Sequence, residues 1–312
     1  AAACGDATPG GEVTGEFSMY TSDGAGFDTH SFYYDTGSEV VVFDAQFTPA
    51  LAEQLIADIR RKTSSPIRYV VVTHPNPDKF NGASAFRAIG AEVIASEATA
   101  RALPEVHAYK KYYFVTIAKS FSEASYPALP TIDRTFKGRY ELPLAGGARV
   151  ILSELAHAGV ATTQTVAYIP AVDKLIVGDL VHVRAHAWLE GGIRDGKPQP
   201  DLAAWKLALA ELSTLPGVTA MTVVHGGRGE SAALAVAVAE QTKYLTGMED
   251  LLVRYLSGLG ARRSELSDPS LAAMHYKNIA KLSADAFPSY AFPYLIEYGV
   301  YGLVNALAAA PR

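Results

Sequence analysis

The stretch VVVTHPNPDKFNGA, residues 70–83, puts His74, Asp78 and a glycine in one polar turn directly behind an apolar run. An imidazole and a carboxylate at this spacing are ligands of the kind a hydrolytic zinc takes. Such a site uses three or four His, Asp, Glu or Cys side chains and leaves one position open for water. Their neighbours do not suit that task. Asn76 offers only a neutral amide oxygen, and Lys79 an ammonium that is protonated at neutral pH. The turn therefore carries a second possibility, acid–base chemistry without a metal by His74, Asp78 or Lys79.

Regular elements must position such a turn. Residues 67–73 read as a buried strand. Upstream, HSFYYDTGSEVVVFDAQF reads as two strands around a turn at Thr36 and Gly37, the second at 39–43. Thr48 and Pro49 start a helix whose Leu51, Leu55, Ile56 and Ile59 form one stripe, ended by Arg60, Arg61 and Lys62. Pro75 and Pro77 restrict the turn and Gly82 lets it bend. After it, ASAFRAIG predicts a helix closed by Gly90, and AEVIAS a strand. The second half is richer in strand, with ARVILSEL, QTVAYIPAVDKLIVGDLVHV and TAMTVVHGG. Between the last two lies the helical DLAAWKLALAELSTL, with Leu202, Trp205, Leu209 and Leu212 on one face. A long Ala-rich helix is expected from Glu230 to about Leu256, then helices with aromatic interruptions. The alternation predicts an α/β fold.

The order of SFYYDTGSEVVVFDAQF, IRYVVVTHPNPDKFNGA, GVATTQTVAYIPAVDKLIVGDLV and LALAELSTLPGVTAMTVVHGG resembles the metallo-β-lactamase superfamily. That resemblance implies a four-layer αββα sandwich over residues 17–229, preceded by a tether at 1–16 and followed by a helical extension at 230–312. Its halves would meet near Val150, with the active site at one edge between two sheets. His74 takes the first histidine position of the family loop and Asp78 its aspartate, while Asn76 and Lys79 stand where two further histidines belong. Asp179, in VGDLV, matches the carboxylate that bridges two metals. The third histidine falls on Val160, with His157 three residues earlier serving only if the loop is rebuilt. For the last ligand, an ungapped alignment puts His225 at a proline position and Gly227 at the histidine position; a slip of two residues restores His225. The resemblance thus implies at most one divalent metal such as zinc, on His74, Asp78, Asp179 and His225. Two-zinc chemistry is not expected.

Lys79 suggests a replacement. Two carboxylates in a partly buried cleft need a cation, and an ammonium next to Asp78 supplies one permanently. Asn76, His157, His182, Arg184 and Trp188 are candidates for ligand binding, with 182, 184 and 186 sharing a face if LVHVRAHAW is a strand. Tyr109, Tyr112, Tyr113 and Phe114 are placed to form a lid over a pocket for an apolar or aromatic ligand with one polar handle.

Composition narrows the partners. With 312 residues, 49% hydrophobic and 19% charged, the chain can bury a large core. A net charge of -5 with dispersed Lys and Arg gives no field for nucleic acid. No run of eighteen apolar residues is present to span a membrane. The single cysteine, Cys4 in AAACGDATPGGEVTGE, resembles the end of a bacterial lipoprotein signal. It implies a lipidated Cys4, membrane anchoring and a periplasmic or envelope setting; an incidental Cys4 leaves a cytoplasmic protein. Two functions follow: a hydrolase-like protein with an eroded di-metal site acting on an ester, lactone or amide, or a non-catalytic small-molecule-binding envelope protein.

Overall fold

The run Val40–Phe43 has no polar face, and it is buried on both sides in a computed structural model that describes residues 15–310. Such a run belongs to a strand covered from two directions. The first sheet orders β1 (Glu16–Thr21), β2 (His30–Asp35), β3 (Val40–Phe43), β4 (Ile67–Val71), β5 (Glu92–Ser96) and β6 (Arg134–Phe136). Its first three strands pair antiparallel, and β3 to β6 run parallel. The chain continues as β7 (Arg139–Pro143), β8 (Arg149–Glu154), β9 (Thr165–Ile169), β10 (Lys174–Gly178), a small hairpin of β11 (Gly192–Arg194) and β12 (Lys197–Gln199), then β13 (Val223–Gly226) and β14 (Ala232–Ala233). The second sheet has the order β14-β13-β10-β9-β8-β7, with β10 and β13 parallel.

Period-two alternation sorts the side chains into layers. In β3, Val41 and Phe43 join Val71, Ile94, Leu152, Ala167 and Ile176 between the sheets, while Val40 and Val42 face the outer helices. Those helices are α1 (Pro49–Lys62), the short α2 (Pro77–Phe80) and α3 (Ala83–Ala88), and α4 (Glu97–Tyr112). Thr48 caps α1 by accepting from the Leu51 amide, Pro49 occupies its first turn, and Leu51, Leu55, Ile56 and Ile59 are buried. On the far side α5 (Leu202–Glu211) and α6 (Leu234–Leu259) cover the second sheet through Trp205, Leu209, Tyr244, Leu245 and Met248, followed by α7 (Pro269–Ala286), α8 (Tyr294–Gly299) and α9 (Tyr301–Ala309). Helix, sheet, sheet, helix is the expected four-layer sandwich.

Several boundaries differ from the sequence reading. The chain changes sheets between Phe136 and Arg139, not near Val150, because β7 already pairs with β8. The long helix starts at Leu234, since Ala232 and Ala233 first pair with β13. Gly82 adopts an ordinary φ of -77°; what it supplies is room, because a Cβ there would overlap the Ala45 carbonyl oxygen. Cys4 and nearly all of the expected tether lie outside the described residues, and Glu16 already belongs to β1.

Candidate functional site

Two pairs of parallel strands, β3 with β4 in the first sheet and β10 with β13 in the second, each lead into a polar group of one cluster: Asp44 after β3, His74 after β4, Asp179 after β10 and Arg228 after β13. Ligand crevices in open α/β sheets form at such carboxyl ends. Asp44 accepts from the Thr73 amide at 2.9 Å and from its hydroxyl at 3.0 Å. With its proton directed to Asp44, the Thr73 hydroxyl can only accept from His74 Nδ1, 2.9 Å away, which assigns the His74 tautomer through this network. His74 Nε2 is left without a hydrogen bond, 3.7 Å from Asp179 Oδ2. Burial pushes the Asp44 carboxyl up to about 6.

Asn76 occupies the N-cap position of α2, whose one turn directs Asp78 and Lys79 inward. The ion pair expected from the sequence is present: Lys79, fully buried, lies 2.9 Å from Asp78 Oδ2 and 2.8 Å from Asp179 Oδ1. Arg228 completes a ring of four charges. Its NH1 donates to Asp179 Oδ2 at 3.0 Å, its NH2 to Asp78 Oδ2 at 3.0 Å and Thr29 Oγ1 at 2.8 Å, and its Nε to the Phe27 carbonyl at 2.6 Å. Thr29 in turn donates to Asp78 at 2.9 Å. Burial alone would raise both carboxylates, but Lys79 and then Arg228 outweigh it, holding Asp78 at about 2 and Asp179 well below the usual range. Burial would likewise lower Lys79, yet Asp179 and Asp78 keep it above its ordinary value. Gly227 gives the cluster its space: a Cβ there would overlap Asp179 Oδ1 and sit 2.7 Å from Lys79 Nζ. Gly227 thus lies at the edge of the cluster.

Other predicted residues are elsewhere. His225 packs on Phe17 and Phe32 with its Nδ1 on Ser231 Oγ, so it is not brought to the cluster, and Val160 lies in the outer core. His157 pairs with Glu211 of α5 and lines a separate surface pocket. Residues 181–188 form no strand and share no single face. Arg184 is 51% exposed beside Glu230, while His182 and His186 are buried, the latter against Tyr244. His182 lies near enough to Asp179 and Arg228 to feel their charges, but burial dominates and lowers it to about 3. Of the expected lid, Tyr112 points to solvent and Tyr109 meets the Tyr301 hydroxyl, leaving Tyr113 and Phe114 to line the cleft. Sequence reasoning missed Arg228 and Thr29. The only signal for the arginine is its place in GGRG, directly after Gly227.

Above the cluster, Phe27, Phe47, Phe114 and Trp188 wall a narrow pocket of about 30 Å³ with Asn76, Asp78, Asp179, Lys110 and Arg228. Lys110 pairs with Glu190, which also accepts from Trp188 Nε1 at 2.8 Å, and its ammonium lies 4.9 Å from the indole centre. Phe27, Phe114 and Trp188 also line a wider vestibule of about 670 Å³, continued by Tyr113, Ile117, Tyr294 and Tyr298. Among the described residues no three His, Cys, Asp or Glu side chains are grouped to hold a metal ion.

The profile of the metallo-β-lactamase superfamily matches residues 24–227. Among solved structures, the chain is similar to a metallo-β-lactamase from Pontibacter korlensis at 22% identity, covering 74% of this chain and 94% of that one with a TM-score of 0.53. It is also similar to the mono-zinc form of the metallo-β-lactamase FIM-1 from Pseudomonas aeruginosa, at 18% identity, 73% and 90% coverage and a TM-score of 0.52. No curated protein matches the chain.

Proposed function

The chain belongs to the metallo-β-lactamase superfamily, and on that premise we propose that its cleft binds a small molecule on a fixed ring of charges that replaces the metal pair. The observation that carries this reading is Lys79 Nζ, buried between Asp78 and Asp179 at ion-pair distance from both. A divalent ion does not fit this donor set. Of the residues at the family's ligand positions only His74, Asp78 and Asp179 could ligate, and both carboxylates are already neutralised by Lys79 and Arg228. Adding a dication to a ring that sums to zero would place it against two fixed cations.

The same geometry argues against hydrolysis of an ester, lactone or amide. Lys79 is held protonated, and the two aspartates are held ionised and engaged with cations, so the ring offers no base matched to activating water near neutral pH. Walls of Phe27, Phe47, Phe114 and Trp188 support an aromatic or apolar ligand with one polar handle. Our reading extends to location: Cys4 is a lipidation site and the cleft faces the periplasm or envelope. An acyl mass on Cys4 of native protein supports this extension, and an unmodified Cys4 refutes it.

Metal content tests the central claim. Protein purified without chelator and measured by plasma mass spectrometry for zinc, iron and manganese should carry well under one metal per chain. A ratio near two, or turnover of ester, lactone or amide substrates abolished by chelator, refutes it.

A further inference from the structure

We propose that the ligand of this cleft is an organic ammonium, an amine cation carrying an aromatic or alkyl body; this rests on the small-molecule reading above. The inner pocket is lined by three kinds of group, and only two are free to meet a ligand. Its cations are engaged: Arg228 donates to Asp78, Asp179, Thr29 and Phe27, and Lys110 to Glu190. An incoming carboxylate or phosphate would find no unpartnered cation. By contrast, Asp78 receives Thr29, Lys79 and Arg228 on Oδ2 alone, and its Oδ1 takes no hydrogen bond or ion pair from the described residues. The Asn76 side chain makes no capping bond and also lines the pocket.

The walls point the same way. Phe27 sits with its ring centre 5.2 Å from Phe47, 5.9 Å from Phe114 and 6.0 Å from Trp188. Clustered π faces with a carboxylate oxygen at their base suit a desolvated cation. The protein already uses one of these faces in that way, with the Lys110 ammonium over Trp188. Charge balance agrees. Asp28, whose Oδ2 accepts from Tyr294 of the vestibule at 2.6 Å, joins Asp44, Asp78, Asp179 and Glu190, giving five carboxylates at neutral pH against Lys79, Lys110 and Arg228. The site therefore carries excess negative charge. An ammonium donating to Asp78 Oδ1, with its body in the vestibule, offsets part of it.

Titration calorimetry with three probes of one shape tests this: 2-phenylethylammonium, 2-phenylethanol and 3-phenylpropanoate. The ammonium should bind at least tenfold more tightly than the alcohol, and the carboxylate should not bind measurably. Phe114→Leu, which keeps an apolar wall and removes a π face, should weaken the ammonium several-fold and leave the alcohol nearly unchanged. Asp78→Asn should also weaken it, and the probe series on the unaltered protein decides the matter if that variant does not fold. Carboxylate binding equal to or tighter than ammonium binding, or equal affinity for ammonium and alcohol, overturns the inference. Metal content measured on the same sample separates the two failures: metal-loaded protein sinks the small-molecule reading, whereas metal-free protein without ammonium preference sinks this inference alone.

Discussion

Replacing Lys79 by Met removes the ammonium while keeping most of the side-chain volume, so it isolates charge from packing. In the unaltered protein, Lys79 touches Asp78 at 2.9 Å and Asp179 at 2.8 Å with no exposed surface of its own. Breaking a buried pair on one side typically costs about 3–5 kcal/mol, far above the 0–1 kcal/mol of an exposed pair. Arg228 still bonds both aspartates, which places the expectation at the lower end, about 3 kcal/mol at pH 7. For a chain of 312 residues the matching fall in melting temperature is roughly 5 °C. Acidity sharpens the test. The folded Asp78 titrates at about 2 against an ordinary 3.8, so it contributes about 2 kcal/mol that is present above pH 4 and lost as pH falls toward 2. Asp179 shifts in the same direction. Urea unfolding of both proteins from pH 2 to pH 8 should therefore show a gap that is widest above pH 4 and narrows in acid. A deficit under 1 kcal/mol at pH 7, or a gap that widens in acid, refutes the replacement-cation argument.

Asp44 works in the opposite sense: its folded carboxyl is raised from 3.8 to about 6, so stability is lost as pH climbs between those values, by about 3 kcal/mol. Asp44→Asn should gain on the unaltered protein by that amount between pH 4 and 6 and run parallel above, as read from denaturant midpoints. Gly227→Ala should cost roughly 1–3 kcal/mol by calorimetry, because its Cβ overlaps Asp179. His157→Ala and Arg184→Ala should leave ligand affinity unchanged in titration calorimetry, since neither side chain reaches the cleft.

Legibility followed physical cause. Strand β3 could be read because burial on both faces produces an unbroken apolar run, β4 because it closes on the buried Val70 and Val71, and α1 because Thr48, Pro49 and the basic stop mark both ends. His74, Asp78, Lys79 and Asp179 were readable because they lie beside such runs. Residues 181–188 misled as a strand because apolar and polar side chains alternate there, whereas helix α6 satisfies part of their backbone, Gln241 accepting from the His182 amide and Tyr244 from the Ala187 amide. Among the described residues only isolated bridges, Val183 with Glu230 and Ala185 with Ala291, remain of a ladder. His157 was misassigned because its partner, Glu211, lies 54 residues away on a helix whose docking no local pattern announces. Arg228 sits among glycines, outside any periodicity, so only the closed fold shows it between two carboxylates.

The hydroxyl of Tyr294 reaches back 266 residues to Asp28, and the ring of Trp188 rests against Gly299. This closure gives the cleft a birth order. On a ribosome adding about 5–20 residues per second, Trp188 emerges roughly 5–20 s before the helix that covers it. Through that interval the nascent chain holds an unfinished aromatic wall beside charges that have not all met their counterparts. The wall can meet another chain as readily as its own C-terminal helices, so the protein's yield should depend on how crowded its synthesis is, and slow, dilute expression should favour the closed cleft.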